Sequence, residues 1–332
     1  MIQLFRCPSC GSPLPKTTRA NQLVKCDACQ TTVLVRDWQT SETRDRVVVE
    51  TPTRIYTLGR LFTKDDLCNI YRCTFKRDDK EWEGLFRLAH DPADNDLVQN
   101  EAQTLYYFQQ CPDYDEFQPL VPCILESFVY QDAAISKPRQ VNIASLDEQI
   151  TFLDELYSLQ EVKQTFPAGI HPKDMAWMWR RVLNVLGFAH KNGVIHGSVL
   201  PPYVWIEPRG HKVMLMGWGF SVRAPAGESE KLKALSISYE SWYPPEVKKP
   251  AEPGLDISMA ARCMLSLMAI DPLAKKESDI DLPTLPTGLR RYFWRCLSTR
   301  QSAWQLLQEF DGIIEDCWGP REFRVFRMPE RR

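Results

Sequence analysis

Four of the chain's eleven cysteines stand in its first 29 residues as two pairs, Cys7-Pro-Ser-Cys10 and Cys26-Asp-Ala-Cys29. A two-residue gap followed by a tight turn brings both thiolates of a pair to one point. Gly11, after the first pair, supplies the positive-φ position that such a turn needs. Two such pairs with 15 residues between them form a closed tetrahedral shell of four thiolates. That shell suits a structural zinc ion and leaves no open position for catalysis, and the spacing favours zinc over a redox dithiol. The other seven, Cys68, Cys73, Cys111, Cys123, Cys263, Cys296 and Cys317, are scattered without paired spacing. Scattered thiols argue against a disulfide framework and for a reducing compartment, the cytoplasm.

The elements that must position these thiolates are short. Leu14, the alternating Asn21–Lys25 and Thr31–Val35 read as strands. Residues 1–38 thus resemble a zinc ribbon, in which the metal substitutes for the core that some forty residues cannot build. Within 1–40, Arg6, Lys16, Arg19, Lys25 and Arg36 face Asp27 and Asp37, too small a basic excess for a phosphate-binding face. A structural or protein-docking role is the better reading, with a nucleic-acid adaptor as an alternative. Residues 39–53 are polar, end in Thr-Pro-Thr, and read as a linker.

Composition bounds the rest. The chain has 332 residues, 44% apolar and 25% charged, with a formal net charge of −2. That is enough apolar material for roughly two domains, and it excludes a general polyanion binder or an acidic tail. The longest apolar stretches, Val213–Phe220 and Cys263–Ile270, fall well short of the roughly 20 residues of a membrane span. No apolar segment precedes the first cysteines, so no signal peptide is expected.

From residue 54 the pattern is first strand-like (Arg54–Leu58, Cys68–Phe75, Glu83–Ala89), then helical over Asp96–Gln110, then strand-like again over Cys123–Tyr130 and Gln140–Ile143. Beyond that it is mostly helical. Pro172–Lys191 sets Met175, Trp177, Met178, Val182, Leu183, Val185, Leu186 and Ala189 at helical spacing, the stripe of a core helix. Strands followed by helices predict an α+β chain with two lobes.

The order of elements and several stretches over 54–318 resemble a protein kinase catalytic domain. His190-Lys-Asn-Gly-Val-Ile-His196-Gly-Ser198-Val-Leu-Pro201-Pro-Tyr203 is similar to the catalytic-loop region. Gly217-Trp218-Gly219 stands in the place of the D-F-G motif, and Tyr243-Pro-Pro245-Glu246 in that of A-P-E. Asp256 falls where an aspartate ties down the catalytic-loop backbone, and Arg300 where an arginine pairs with the A-P-E glutamate. The resemblance implies a bilobal kinase-like fold: a β-rich N-lobe (54–143), a helical C-lobe (144–318) and a tail (319–332), preceded by the ribbon.

The same resemblance implies that the chemistry is gone. Phosphoryl transfer is positioning and charge neutralisation, and needs a substrate-orienting Asp, metal-holding Asn and Asp, and a phosphate-pairing Lys. Those places hold Ser198, Tyr203, Gly217 and Arg87. The Gly-rich stretch keeps Gly59 but not the two glycines after it. Glu207 is the lone acid between His190 and Gly227 and sits beside a hairpin turn, Pro208-Arg209-Gly210. Each lost element typically costs about 3 kcal/mol of transition-state stabilisation. Gly59, Arg87 and Glu101 read as a vestigial nucleotide cleft in which Arg87 pairs with Glu101, and binding of ATP with magnesium is not expected.

Structural pieces are better kept. His196 reads as a core histidine bracing its loop, Asp256 as an acceptor for backbone N–H groups near His196-Gly197, and Glu246 with Arg300 as a buried ion pair. Trp218 either fills the pocket floor or packs as core. Ser221, Ser229, Ser236 and Ser238 lie in the activation-segment position, where surface serines are seldom phosphorylated. The tail reads as a docked strand holding on through Phe323, Val325 and Met328, with Arg321, Arg324 and Arg327 turned away. The expectation is a pseudokinase of bacterial type with a zinc ribbon, a scaffold or allosteric module in cytoplasmic signalling. An atypical ATP-dependent kinase or other nucleotide transferase is the enzyme alternative. Resemblance to ribbon-bearing kinase-like proteins encoded beside phosphatases and von Willebrand A-type proteins implies such protein partners; the short apolar runs predict no membrane contact, and the small basic excess disfavours nucleic acid.

Overall fold

The computed structural model describes residues 7, 9–10, 12–14, 22–35, 47–51, 53–132, 135–146, 153–224 and 230–329. In chain order the elements are β1 (Gln22–Lys25), β2 (Thr32–Val35), β3 (Val47–Glu50), β4 (Ile55–Lys64), β5 (Cys68–Arg77), β6 (Lys80–Ala89), α1 (Asn95–Phe108), α2 (Tyr114–Phe117), β7 (Cys123–Asp132) and β8 (Ile135–Ser145). They continue with β9 (Tyr157–Ser158), α3 (Leu159–Thr165), α4 (Pro172–Lys191), β10 (Val194–Ile195), β11 (Val204–Glu207), β12 (Lys212–Leu215), β13 (Val222–Arg223), α5 (Pro253–Leu267), α6 (Thr287–Cys296) and α7 (Ala303–Trp318). By contacts the chain divides into two units, Met1–Tyr106 with Cys123–Thr151, and Tyr107–Pro122 with Phe152–Arg332. No helix among the described residues is long and apolar enough to cross a membrane.

The first unit is a closed sheet in the order β1-β2-β7-β8-β6-β5-β4-β3. Its centre is the antiparallel run β4–β5–β6. Asp78 and Asp79, with φ of 50° and 59°, turn β5 into β6 as a two-residue hairpin loop whose left-handed residues match the strand twist. Side chains of one face of the sheet, among them Tyr56, Phe75, Phe86, Phe128 and Val141, form its core. In β6, Leu85, Phe86 and Arg87 are buried in succession, so both faces of this strand are covered. Helix α1 buries Leu97, Val98, Ala102 and Leu105. Its first residue anchors it to β8, where Asn95 Nδ2 donates to the Pro138 carbonyl (3.0 Å) and Asn95 Oδ1 accepts from Gln140 N (2.7 Å).

Two features differ from the sequence reading. The 39–53 segment is not a linker throughout, because Val47–Glu50 pairs with β4 as a strand; three consecutive valines are strong strand formers. The strands between the cysteine pairs also join the larger sheet, β2 parallel to β7 and β1 to β3, so 1–38 and 54–143 share one sheet.

The second unit is built on α4. Pro172 occupies its first turn, where a missing N–H costs nothing, and His171 Nδ1 accepts from Lys173 N (3.1 Å). Helix α7 approaches α4 closely at Gly187, where a Cβ would lie 2.4 Å from Trp304 Nε1. Trp179 Nε1 donates to Tyr292 Oη (3.0 Å), which donates to the Leu306 carbonyl (2.9 Å), joining α4, α6 and α7 by buried hydrogen bonds. Helix α5 is buried nearly all round, from Leu255 to Leu267. Residues 107–122 belong here rather than with the strands, because Phe108 and Phe117 pack on Phe188 (centroids 5.0 and 4.9 Å).

Candidate functional site

The four N-terminal thiols do converge. Their sulfurs all lie within 4.8 Å of one another, Cys7 to Cys29 at 3.5 Å and Cys10 to Cys26 at 3.6 Å, and none is in a disulfide. Zn–S bonds of about 2.3 Å in a tetrahedron require sulfurs about 3.8 Å apart, so the donor set fits a four-coordinate thiophilic ion. Two similar turns present the pairs: Cys7 N donates to Ser12 O (2.7 Å) and Cys26 N to Thr31 O (2.9 Å). Gln30 takes the left-handed conformation in the second, φ 62°; Gly11 lies outside the described residues. Thr31, through its hydroxyl and backbone N–H, pulls the Cys29 thiol down to about 6, whereas burial pushes Cys7 up to about 11.

In the first unit, Arg87 is 2% exposed and held by two carboxylates. Its Nε donates to Glu101 Oε2 at 2.9 Å, and its Nη2 lies 2.8 Å from Asp65 Oδ2. Burial disfavours the guanidinium charge, and the two carboxylates outweigh that, leaving Arg87 raised above its ordinary value. Glu101 Oε2 also accepts from Asn142 Nδ2 (3.1 Å), which stands opposite Arg87 across β6 and β8. Asn142 Nδ2 further donates to Val98 O (2.7 Å), and its Oδ1 accepts from Ser127 Oγ (2.8 Å).

Asp65 was not singled out from sequence, although it lies in the stretch compared with the Gly-rich loop. That turn is Asp65–Leu67, between β4 and β5. Asp65 Oδ1 accepts from Leu67 N (3.0 Å) and Cys68 N (2.7 Å), while its carbonyl bonds His90 Nε2 (2.8 Å). The turn is therefore closed on itself and pinned to Arg87, where a glycine loop would leave backbone N–H groups open to phosphate. Gly59 is not at this turn. It is exposed within β4, at a bulge where the register jumps from Leu58↔Cys73 to Leu61↔Tyr71, a common use of strand glycine.

In the second unit, Asp256 at the start of α5 is fully buried. Its Oδ2 accepts from His196 N (2.8 Å) and bonds His190 Nε2 (2.9 Å), and its Oδ1 accepts from Gly197 N (2.8 Å). His196 bonds the Met216 carbonyl through Nε2 (2.8 Å), and its Nδ1 accepts from Ser198 N (3.2 Å). That pattern requires the neutral tautomer protonated at Nε2. Burial lowers its pKa despite the nearby Asp256. His190 as a third donor to Asp256 went unread; its signal is a histidine six residues before His196 on the last turn of α4.

The degenerate positions are packed shut. Ser198 and Tyr203 are buried, with 0% and 1% exposure. Gly217 has φ 77°, and a Cβ there would meet the Tyr203 ring at 2.4, 2.6 and 2.9 Å. The phenol ring fills the volume that a side chain at 217 would need. Trp218 is core: it donates from Nε1 to Leu215 O (2.8 Å) and lies edge-on to Phe108 and near His196 (4.8 and 4.5 Å). Glu207 caps the β11–β12 turn, its two oxygens accepting from Arg209 N and Gly210 N at 2.7 Å each, so it is committed there.

Other expectations need correction. Arg300 is exposed, so it is not half of a buried pair; the Glu246 side chain lies outside the described residues. Ser221 is buried and donates to Trp218 O (2.6 Å), Ser236 is buried too, and Ser229 lies outside the described residues. In the tail, Phe326 is the buried anchor, near Phe166 and Trp177 (5.7 and 6.4 Å), while Phe323 and Val325 are about two-thirds exposed (66% and 67%). Residues 321–329 form no helix or strand and are fastened by Arg324 to Asp174 (2.8 Å) and by the Arg324 carbonyl to His211 Nε2 (2.8 Å).

No family model matches the sequence, and no curated protein does. Solved structures do. The structure of vaccinia related kinase 3 superposes with a TM-score of 0.57 at 15% identity, covering 84% of this chain and 93% of that one. The BubR1 kinase domain superposes with a TM-score of 0.57 at 11% identity, covering 82% and 84%. At such identity the likeness speaks for fold alone: this chain has a protein-kinase-like fold, preceded by four cysteines close enough to hold a metal ion.

Proposed function

We propose that this chain is a pseudokinase: a bilobal kinase-like protein that transfers no phosphoryl group and acts by binding other proteins in signalling, with zinc in its four-cysteine site. The observation that carries this reading is the Tyr203 ring seated against Gly217. In the kinase family those two places hold the metal ligands. Here one has no side chain, and the other occupies the space a side chain would take. The buried Arg87, ion-paired to both Asp65 and Glu101, supports the same reading, since a phosphate would have to displace Asp65 from the guanidinium. Loss of one such element typically costs about 3 kcal/mol in transition-state stabilisation. Protein partners are part of this proposal, and the phosphatase and von Willebrand A-type partners implied by resemblance are the first to test by co-purification.

The deciding experiment is a thermal-shift titration with ATP, with and without magnesium. Binding at 100 times Kd would stabilise by about 2.7 kcal/mol. The expected result is no magnesium-dependent shift. A shift that grows with ATP and requires magnesium, together with transfer of labelled phosphate, would establish the enzyme alternative instead.

A further inference from the structure

The hairpin β1–β2 belongs to two cores at once. Its turn carries Cys26 and Cys29, so one pair of thiols is the hairpin's own loop. Successive residues of a strand face opposite ways. On one side Val24 and Val33 pack with Cys7, Leu14 and Cys26. On the other, Leu23 enters the main core of the first unit beside Tyr56, Phe75 and Phe128. The backbone is shared as well: β2 runs parallel to β7 through Val33↔Val129, Leu34↔Tyr130 and Val35↔Gln131, while β1 meets β3 at Gln22↔Glu50. These two strands are the staves that close the sheet.

Two four-residue strands are marginal by themselves. Metal binding free energy in a small thiolate module is folding free energy, and here the folded hairpin is part of a larger body. Resting on the reading of the four cysteines as a metal site, we propose that metal occupancy controls closure of the first unit's sheet. With metal bound, the hairpin is held between β7 and β3 and Leu23 is seated. With metal removed, the hairpin detaches, Leu23 leaves the core, and the backbone edge of β7 over Val129–Gln131 is bared. The four cysteines are then a latch on the body of the protein rather than a knob beside it.

The test uses the full chain under reducing conditions. Zinc content is measured first, then hydrogen exchange is compared before and after chelation. The expected result is one zinc per chain and, on chelation, exchange at least tenfold faster over Cys123–Asp132 and Val47–Glu50, with α4 and α5 unchanged. Acceleration confined to residues up to Val35 would overturn the latch while leaving the metal site intact. Failure to bind zinc at one equivalent would overturn both. Leu23→Ala gives a second reading: it should lower the thermal midpoint of the zinc-loaded protein and leave the stripped protein unchanged. An equal loss in both states would show that the hairpin stays seated without metal, and would refute the proposal.

Discussion

Placing a side chain at Gly217 tests the central steric claim. A Cβ there would sit 2.4 Å from Tyr203 Cδ1 and 2.6 Å from Cγ, whereas carbon atoms rest at about 3.5–4.0 Å. The ring must retreat by about 1 Å, and it is 1% exposed, with Phe220 at 6.0 Å beyond it. Overpacking of this kind costs about 1–3 kcal/mol. The left-handed backbone, φ 77° and ψ 33°, adds about 1–2 kcal/mol for a residue with a Cβ. Gly217→Ala should therefore destabilise the protein by about 2–5 kcal/mol in urea denaturation. Tyr203→Asn should also destabilise, by loss of a buried ring. Because both changes act on one contact, the double variant should cost less than the sum, by about 1–3 kcal/mol. Gly217→Asp alone should gain no magnesium-dependent stabilisation, since its carboxylate has no volume to occupy. Strictly additive losses, or a Gly217→Ala cost below about 0.5 kcal/mol, would refute the argument that the ring fills this space.

Arg87→Met should cost about 3–5 kcal/mol in urea denaturation, because Asp65 and Glu101 would be left as buried, facing carboxylates; adding Asp65→Asn and Glu101→Gln should recover most of it, and a single-variant loss under about 1 kcal/mol would contradict burial of the pair. His196 is held below its ordinary pKa by burial, so between the folded and unfolded values the native state binds fewer protons than the unfolded. Stability is then full above about pH 6.5 and falls as pH drops, by at most about 1.4 kcal/mol per pH unit from this group. His196→Gln should flatten that limb when urea midpoints at about pH 7.5 and about 5.5 are compared with the parent. In the tail, Phe326→Ala should cost about 2–4 kcal/mol by thermal melting, as a buried ring is lost. Arg324→Ala should cost under about 1 kcal/mol, since its pair with Asp174 is 43% exposed on the arginine side.

What could be read from sequence was what motif spacing sets locally. The two cysteine pairs converge because each turn presents its own thiols, and Asp256 reaches His196 N and Gly197 N because one backbone turn meets the first turn of one helix. Arg87 and Glu101 were paired by analogy of strand and helix position. What could not be read depended on register and on surfaces meeting in three dimensions. Asp65 lies 22 residues before Arg87, and only the β4–β5–β6 pairing folds that turn back over the guanidinium. Gly59 looked like loop glycine because nothing in sequence distinguishes a bulge from a turn. The tail failed for the same reason: Phe323, Val325 and Met328 satisfy an alternating pattern, but the receptive surface beside Phe166 and Trp177 lies under Phe326.

Four carboxylates of the chain are committed to hydrogen bonds with their own surroundings. Asp256 holds two backbone N–H groups and a histidine, Glu207 holds two backbone N–H groups, and Asp65 holds two N–H groups and a guanidinium. Glu126 accepts from Thr51 Oγ1, Thr53 Oγ1 and Tyr56 Oη at 2.8, 2.7 and 3.1 Å. A divalent cation bound by any of them would have to break fixed, charge-assisted hydrogen bonds, each worth about 1.5–3 kcal/mol. Catalytic carboxylates in phosphoryl transfer are the opposite case, with lone pairs left open for metal and phosphate to complete. Carboxylates committed to backbone N–H groups, as Asp256, Glu207 and Asp65 are, fix the local turns they close. The four cysteines differ from these acids in that their sulfurs all lie within 4.8 Å of one another, close enough to hold a metal ion.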